Sequence, residues 1–345
     1  MTNRRFFLDF GCSESRGVVT LGGRPERLII ARLGDAPAQS LGARVAARIR
    51  SVERAQGLAF VDLGADPDAV LNLSPEVGLI AEGGWVEVEV RTEGRNGKGP
   101  ALRWLGAATG PVRLLAPGPS VEDRLAALAR GAKIETGPPA RAAADRAQEE
   151  ALETVFALPG GGSIAVEPTR ALTAVDVDIG GRRGQTSKIT TRAANLAALG
   201  EAARVLRLKG LGGLVVIDLV GRGHDAPALL AAARTAFAPD NPGVAIGSIS
   251  RFGSLELTIP RRAKPVVDIL RDQTGAPTAM TTAMDLIRAL EREAVRDGGA
   301  RLEALASPQV VEAAAAALAM LVERFGARLV LQGEAGRANF EIVRR

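Results

Sequence analysis

The sequence predicts a multidomain α/β protein, and three observations support this class. A chain of 345 residues is longer than one hydrophobic core usually serves, so two or more domains are expected. Short strands separated by glycine turns fill the first third of the chain, which is typical of a small barrel or sandwich. Strands and helices alternate in the remainder, which is typical of an α/β core followed by a smaller α+β unit.

Composition restricts the classes of protein to which the chain can belong. Hydrophobic residues make up 46% of it, and no apolar run approaches the ~18 residues that a membrane helix needs, so we expect no membrane partner. Cys12 is the single cysteine, so an internal disulfide and a zinc site are not expected and the cytoplasm is the expected compartment. The net charge of +5 suits a polyanionic partner such as nucleic acid, although an arginine-rich genome composition would explain it equally well.

Strands are predicted in the first part of the chain. The pair Gly22–Gly23 joins two of them in a hairpin. From residue 39 to residue 105 the pattern changes to closely spaced strands, and alternation of valine with charged residues over 86–91 marks one strand as half-buried. Residues 106–140 are rich in Gly, Pro and Ala, so we expect a connector with one helix.

The second part of the chain predicts helices between strands. Helical periodicity is found at four places, over 144–157, 227–237, 278–296 and 308–325. A further long helix ends at the glycines of "LKGLGG", which suit a C-terminal cap. The next segment, "LVVIDLV", is nearly all apolar and predicts a strand covered on both faces. The segment 244–259 has the character of a strand.

Three carboxylates interrupt these apolar strands. Asp176 and Asp178 are two residues apart, so in a strand they project from the same face, and Asp218 closes the apolar run "GGLVVID". Burying an unpaired carboxylate costs several kcal/mol, which favours a hard-cation site, most simply for Mg²⁺. The alternative is a set of structural salt bridges with Arg170, Arg182, Arg183 or Lys188.

Several segments resemble the ribonuclease E/G family. They are "GGSIAVEPTRALTAVDVD", "NLAALGEAARVLRLKGLGGLVVIDLV", "ISRFGSLELT", and in the strand-rich region "GLAFVDLGAD" and "EVEVRTEGRNGKGPALR". The resemblance implies an RNase H-like subdomain interrupted by an OB-type RNA-binding barrel, then a DNase I-like α/β catalytic core and a small α+β C-terminal domain. The expected boundaries are, in the same order, 1–38 with 141–170, 39–105, 171–265 and 276–345, with 106–140 as the connector.

The resemblance also implies roles for individual residues. Asp176 and Asp218 would be the Mg²⁺ ligands of an endoribonuclease, and Asp178 falls in the catalytic site where the family usually has Asn. Phe60 and Lys98 match RNA contacts of the barrel. For Phe60 the barrel core is also open as an interpretation, and further phosphate contacts are expected from Arg182, Arg183 and Arg251.

Two departures from the family modify the expected function. Only about forty residues separate the barrel from the helix near residue 144, so we expect the family's sensor of a 5′ monophosphate to be absent. The family's zinc link aligns with 268–275, which has no cysteine, so no zinc is expected and self-association into a homo-oligomer stays open. We expect a Mg²⁺-dependent endoribonuclease acting on single-stranded RNA. A non-catalytic RNA-binding protein and a DNA-directed nuclease are the alternatives.

Overall fold

The computed structural model describes residues 4–75, 80–95, 97–181 and 187–345, within which the elements follow in chain order. The N-terminal part contains β1 Arg4–Phe10, β2 Glu14–Leu21, β3 Arg24–Arg32, β4 Arg44–Glu53, β5 Leu58–Asp62, β6 Ala69–Asn72, β7 Trp85–Thr92, β8 Ala101–Ala107 and β9 Arg113–Ala116. The middle part contains α1 Val121–Ala129, β10 Ile134–Glu135, α2 Pro138–Leu152, β11 Val155–Ala157, β12 Ser163–Pro168, β13 Thr173–Asp178, α3 Ser187–Lys209, β14 Gly213–Asp218, α4 Ala226–Phe237, β15 Ala245–Ile249 and β16 Ser254–Ile259. The C-terminal part contains α5 Val266–Leu270, α6 Ala279–Arg296, β17 Leu302–Ala306, α7 Pro308–Phe325, β18 Leu329–Gly333 and β19 Glu341–Arg344.

The first sheet is assembled from two separate stretches of chain. Its strand order is β10-β1-β2-β3, so β10 returns to pair with β1 after the chain has built β4 to β9. The predicted hairpin at Gly22–Gly23 is present, with φ values of 57° and 82°. Helix α2 covers this sheet with a row of buried alanines. It begins at Pro138 and ends at Leu152, earlier than the predicted 144–157, because residues 155–157 pair with β12 as a strand.

Strands β4 to β8 form a closed five-stranded barrel. Their order is β5-β6-β8-β7-β4, and pairing of β4 with β5 closes the ring, which is consistent with an OB-type barrel. Valines and alanines that are fully buried fill the interior, as the alternation over 86–91 predicted. The segment 106–140 has more regular structure than the expected single helix, since β9 adds to β4 and β10 joins the first sheet.

The sheet that carries the three carboxylates has six strands in the order β11-β12-β13-β14-β16-β15. Strands β13 and β14 are parallel, and the other pairs are antiparallel. Helices α3 and α4 pack against one face of this sheet, where Val175, Val177, Val215 and Ile217 are buried. The predicted strand over 244–259 is two strands, β15 and β16, separated by a turn.

The opposite face of this sheet is open, and the expectation that β14 is covered on both faces is wrong. Leu214 is 38% exposed and Val216 is half-buried. Both helices that cover the sheet lie on the side of Val215 and Ile217. The apolar run of β14 therefore reflects one deeply buried face and one face of partly exposed aliphatic residues.

The C-terminal unit packs α6 and α7 on a three-stranded sheet of order β18-β17-β19. Both helices match their predicted ranges to within one residue. The hydroxyl of Thr278 accepts a hydrogen bond of 3.1 Å from the Thr281 amide and caps α6, while Ser307 precedes Pro308 at the start of α7. Among the described residues, no helix has the length and apolar character needed to cross a bilayer.

Candidate functional site

The structure brings Asp176 and Asp218 together through strand register. They are direct partners in the parallel pair of β13 and β14; Asp218 is the last residue of β14, and Asp176 lies two residues before the end of β13. Partners in a β ladder have side chains on the same face of the sheet. On the other side of Asp218, the antiparallel strand β16 places Ser254 as its partner. The two carboxylates therefore form one acidic edge on the open face of the sheet.

Exposure of these carboxylates corrects the expectation that they are buried. Asp176, Asp178 and Asp218 are all exposed, because no helix of the described residues covers their face, so no desolvation penalty requires a counter-ion. Across the described ranges, Arg170 and Lys188 form no ion pair with them, and the nearby Arg192 pairs instead with Asp225, at 3.1 Å. The predicted Arg182 and Arg183 lie outside the described residues.

Asp178 lies on the same face as Asp176 but has a local structural role. Its Oδ1 accepts a hydrogen bond of 2.8 Å from the Gly180 amide, which closes the turn that ends β13. The turn is tightly packed, because a Cβ on Gly162 would lie 2.3 Å from the Asp178 carbonyl oxygen. One oxygen of the Asp178 carboxylate is therefore bound within the turn, and the other has no hydrogen-bond partner among the described residues.

Asn195 is a positioning residue that the sequence analysis missed. It is 1% exposed on α3, and its amide forms two hydrogen bonds with the backbone of Val220, one to the carbonyl and one from the N–H, both 3.0 Å. These bonds hold the chain two residues beyond Asp218. A polar residue within the buried stripe of a predicted helix is the signal that could have revealed it.

The turn 250–253 between β15 and β16 is a second segment that contacts the end of β14. The Leu219 amide donates to the Gly253 carbonyl oxygen at 3.2 Å, so the turn lies against the end of β14. Gly253 has φ +95°, and a Cβ there would lie 3.1 Å from His224 Nε2. Half-buried His224 thus packs against the turn.

The sequence of this region matches a known family. Residues 136–262, which contain both paired carboxylates and the turn 250–253, match the model of the "Ribonuclease E/G family". This segment of the chain is therefore similar to the ribonuclease E/G family. The barrel, with Phe60 and Lys98, lies outside the matched segment.

Curated proteins named ribonuclease E or ribonuclease E/G-like are similar to part of the chain. Ribonuclease E of Haemophilus influenzae is 32% identical over 174 residues, which are 47% of this chain and 18% of that protein. Ribonuclease E of Escherichia coli is 32% identical over 167 residues, which are 46% of this chain and 16% of that protein. The chloroplastic ribonuclease E/G-like protein of Arabidopsis thaliana is 29% identical over 153 residues, covering 41% of this chain and 15% of that protein. The chain therefore spans less than a fifth of the length of these relatives.

The barrel meets the six-stranded sheet away from the acidic edge. Lys264 donates its amide to Glu93 at 2.8 Å, and Thr92 donates to the Arg261 carbonyl oxygen at 3.0 Å. These contacts lie beyond Ile259, which pairs with Gly213 at the start of β14. Asp218 is at the other end of that strand, about 17 Å away at ~3.3 Å per residue.

The predicted RNA contacts are therefore divided between two regions. Lys98 is exposed in the hairpin that follows β7, on the barrel side. Phe60 is half-buried, and its neighbours Ala59 and Val61 are the residues that point into the barrel core, so the core interpretation of Phe60 is wrong. Arg251 is exposed in the turn beside the end of β14, so it belongs to the region of the acidic edge.

The donor set at the acidic edge suits a hard cation bound by few protein ligands. No group of three or more His, Cys, Asp or Glu residues close enough to hold a metal ion occurs in the part of the chain that is described. Asp176 and Asp218 face each other, and neither forms an ion pair with a residue that the structure describes. Mg²⁺ is commonly held by one or two carboxylates, with water and substrate phosphate completing its coordination, so these residues fit that ion.

Proposed function

We propose that the chain is a Mg²⁺-dependent endoribonuclease that hydrolyses single-stranded RNA without sensing a 5′ monophosphate. The observation that carries this proposal is the direct pairing of Asp176 with Asp218, exposed on an open sheet face within the segment that matches the ribonuclease E/G family. Cleavage of RNA by relatives named ribonuclease E supports the same activity. RNA processing or decay is the cellular role that we infer.

Asp176 and Asp218 would hold the ion, and their separate strands keep the two carboxylates in fixed register. Mg²⁺ supplies charge neutralisation at the scissile phosphate and lowers the pKa of water when it is bound. Asp178 would orient this edge through the turn that it closes with Gly180. Arg251, together with Arg182 and Arg183, would attract phosphate oxygens through charge-assisted hydrogen bonds.

RNA would also contact the barrel. Phe60 offers a partly exposed aromatic ring on the outer face, and Lys98 offers a cation, the combination that binds single strands by stacking and phosphate attraction. Val70, the partner of Phe60 across β5 and β6, lacks a ring, so stacking there should be weak. An RNA molecule that is bound by the barrel and cleaved at the acidic edge of the same chain must extend along the sheet for about 17 Å, the length of β14.

The division into domains is also a proposal. The return of β10 and α2 to the first sheet supports an RNase H-like subdomain of residues 1–38 and 141–170 with a barrel of 39–105 inserted. The helix-covered sheet supports a DNase I-like core that includes the proposed residues 171–265, but its strands β11 and β12 lie within 141–170. The elements α6 to β19 support a small domain of 276–345. The short connector of 106–140 supports loss of 5′-end sensing, and the lone Cys12 supports the cytoplasm as compartment.

The experiment is a cleavage assay on a single-stranded RNA, run in Mg²⁺ and in EDTA. We expect cleavage in Mg²⁺, none in EDTA, and a loss of at least about 10²-fold in rate for Asp218→Asn, because the facing carboxylate is removed without a change of shape. RNA carrying a 5′ monophosphate and RNA carrying a 5′ hydroxyl should be cleaved at equal rates.

Glu256→Gln is the matched control, since Glu256 is an exposed carboxylate on β16, two residues from the partner of Asp218. It should cleave at the wild-type rate. RNA that is bound equally by wild type and Asp218→Asn and left intact by both would identify a non-catalytic RNA-binding protein and contradict the proposal. Cleavage of single-stranded DNA in preference to RNA at matched salt would contradict the proposed RNA substrate and indicate a DNA nuclease.

A further inference from the structure

An aromatic side chain with no place in the core lies beside the acidic edge. Phe252 is 80% exposed, in the turn 250–253 whose Gly253 carbonyl oxygen accepts from the Leu219 amide at 3.2 Å. Leu219 directly follows Asp218, so the ring is attached next to the end of β14. An exposed phenylalanine loses the free energy that burial of its ring would provide, so its position calls for an explanation other than folding.

The turn holds Phe252 in a defined place. Its amide donates to Ser250 Oγ at 3.2 Å, the Gly253 amide donates to the Ser250 carbonyl oxygen at 3.0 Å, and the hydroxyls of Ser250 and Ser254 are 2.8 Å apart. Ser254 is in turn the ladder partner of Asp218. The backbone that carries the ring is thereby connected to the backbone that carries the carboxylate.

One face of the ring is already occupied by a cation. The guanidinium carbon of Arg251 lies 4.7 Å from the centre of the Phe252 ring, within the range of a cation–π contact. The high exposure of Phe252 leaves the opposite face available to solvent. A flat apolar face backed by a positive charge, adjacent to two carboxylates that can hold a cation, is complementary to a nucleobase attached to a phosphate.

We propose that Phe252 is a base-stacking platform for the nucleotide that flanks the scissile phosphate. This inference rests on the proposed RNA-cleaving function and adds a substrate-positioning residue to it. Stacking on Phe252 and contact of Arg251 with the adjacent phosphate would fix a base relative to Asp176 and Asp218. Because every base has a π-face, this contact supplies affinity with little sequence preference.

The test compares Phe252→Ala and Phe252→Trp with the wild type. The probe is a short single-stranded RNA that carries one 2-aminopurine, whose fluorescence is quenched by stacking, placed in turn at each position around the cleavage site. Phe10 provides the matched control as Phe10→Ala, because it is 77% exposed at the end of β1, in a different sheet.

We expect Phe252→Ala to raise the Kd and KM for this RNA about tenfold, as loss of one stacked base predicts, with a smaller change in kcat and loss of quenching at one position. Phe252→Trp should retain affinity and quenching, and Phe10→Ala should match the wild type. Equal thermal melting of all variants is expected from the exposure of both rings.

Unchanged RNA affinity in Phe252→Ala overturns the inference even if cleavage is confirmed. A change in sedimentation without a change in RNA affinity also overturns it, since the ring would then be a contact between copies of this chain. If the wild type binds RNA but does not cleave it, the proposed function fails, while a Phe252-dependent quench would still support stacking. A wild-type chain that binds no RNA overturns both.

Discussion

The side chains of Asp176 and Asp218 project from one face of neighbouring parallel strands, with Ser254 next to Asp218. The residue types and the spacing along the chain predicted that Asp176 and Asp178 share a face, and the register brings Asp218 to the same face. What the residues could not convey was burial, because an apolar strand is compatible with one covered face or two. Exposure changes the physical argument, since carboxylates that are open to solvent need no neutralising partner inside a core.

Asp178 allows a prediction at this scale, because Asp and Asn present the same acceptor to the Gly180 amide. We expect Asp178→Asn to fold with a stability within about 0.5 kcal/mol of the wild type, to retain cleavage, and to need more Mg²⁺ for half-maximal rate because a negative charge has been removed. Asp178→Ala should lose about 0.5–1.5 kcal/mol with the turn hydrogen bond.

Denaturant unfolding and a Mg²⁺ titration of the cleavage rate measure these two effects separately. An inactive Asp178→Asn that still folds would show that the carboxylate itself takes part in the reaction, against the turn-closing role.

At the scale of elements, α3 supports the acidic edge by packing against the buried face of the sheet. It packs against β12, β13 and β14 through Leu199, Leu206 and small alanines, and Asn195 bonds to Val220 just past β14. Helical periodicity predicted that α3 exists and that it ends at the glycines, where Gly210 has φ +67°. That periodicity did not indicate that α3 and α4 pack on the same face of the sheet.

Substitution of Asn195 tests this role of α3. We expect Asn195→Ala to lower the free energy of unfolding by about 1–3 kcal/mol, because the Val220 N–H and carbonyl are left without partners in a buried site, and to reduce kcat through displacement of the chain after Asp218. Arg192→Ala, one turn earlier on the same helix, removes only an exposed ion pair with Asp225 and should change stability by less than about 1 kcal/mol.

Urea unfolding together with the Mg²⁺-dependent cleavage rate provides the measurement. Equal losses in the two variants would mean that Asn195 has no special part in holding the end of β14.

At the scale of the whole molecule, buried ion pairs join the first sheet to the six-stranded sheet through α3. Glu26 on β3 is 2% exposed and contacts Arg4 at 2.7 Å and Arg207 of α3 at 2.6 Å. Burial acts to raise the pKa of Glu26, but its hydrogen bond with Arg4 and the charge of Arg207 outweigh burial and hold it below the ordinary value. Glu14 plays a comparable part between β2 and α6, with Arg32 at 2.7 Å and Arg288 as partners.

The lowered pKa of Glu26 predicts an acid-sensitive junction. The contribution of Glu26 to stability is present above its unfolded-state pKa of about 4.5 and is lost as the pH falls through the lower folded-state pKa, because protonation then removes the charge that Arg4 and Arg207 require. We expect Glu26→Gln to lose about 3–5 kcal/mol at neutral pH, the usual effect of breaking a buried pair, and to lose less additional stability than the wild type on acidification.

Urea unfolding at neutral pH and at pH values below about 4.5 tests this expectation. Glu334→Gln is the control, since Glu334 pairs with Arg337 on the surface with 54% of its side chain exposed. A neutral-pH loss in Glu26→Gln no larger than in this control would contradict the role of the junction.

Most elements were predictable because their patterns are local. The range of α6, the Gly22–Gly23 hairpin and the alternating strand over 86–91 depend on caps, turn residues and periodicity within a few residues. The end of α2 was misplaced because residues 155–157 pair with β12 as a strand, so the helix ends at Leu152. Asn195 escaped notice because its partner Val220 is 25 residues away along the chain, in the segment that follows β14.

Residue order and type were enough to specify the class of fold, the strands that carry Asp176 and Asp218, and the common face of Asp176 and Asp178, since each follows from the period of a strand. Only the packed chain decided that this face is open, that the barrel meets the sheet at its opposite edge, and that Phe252 lies beside Asp218. Those three facts depend on which surfaces of separate elements meet, and contacts between distant segments leave no periodic trace in the chain itself.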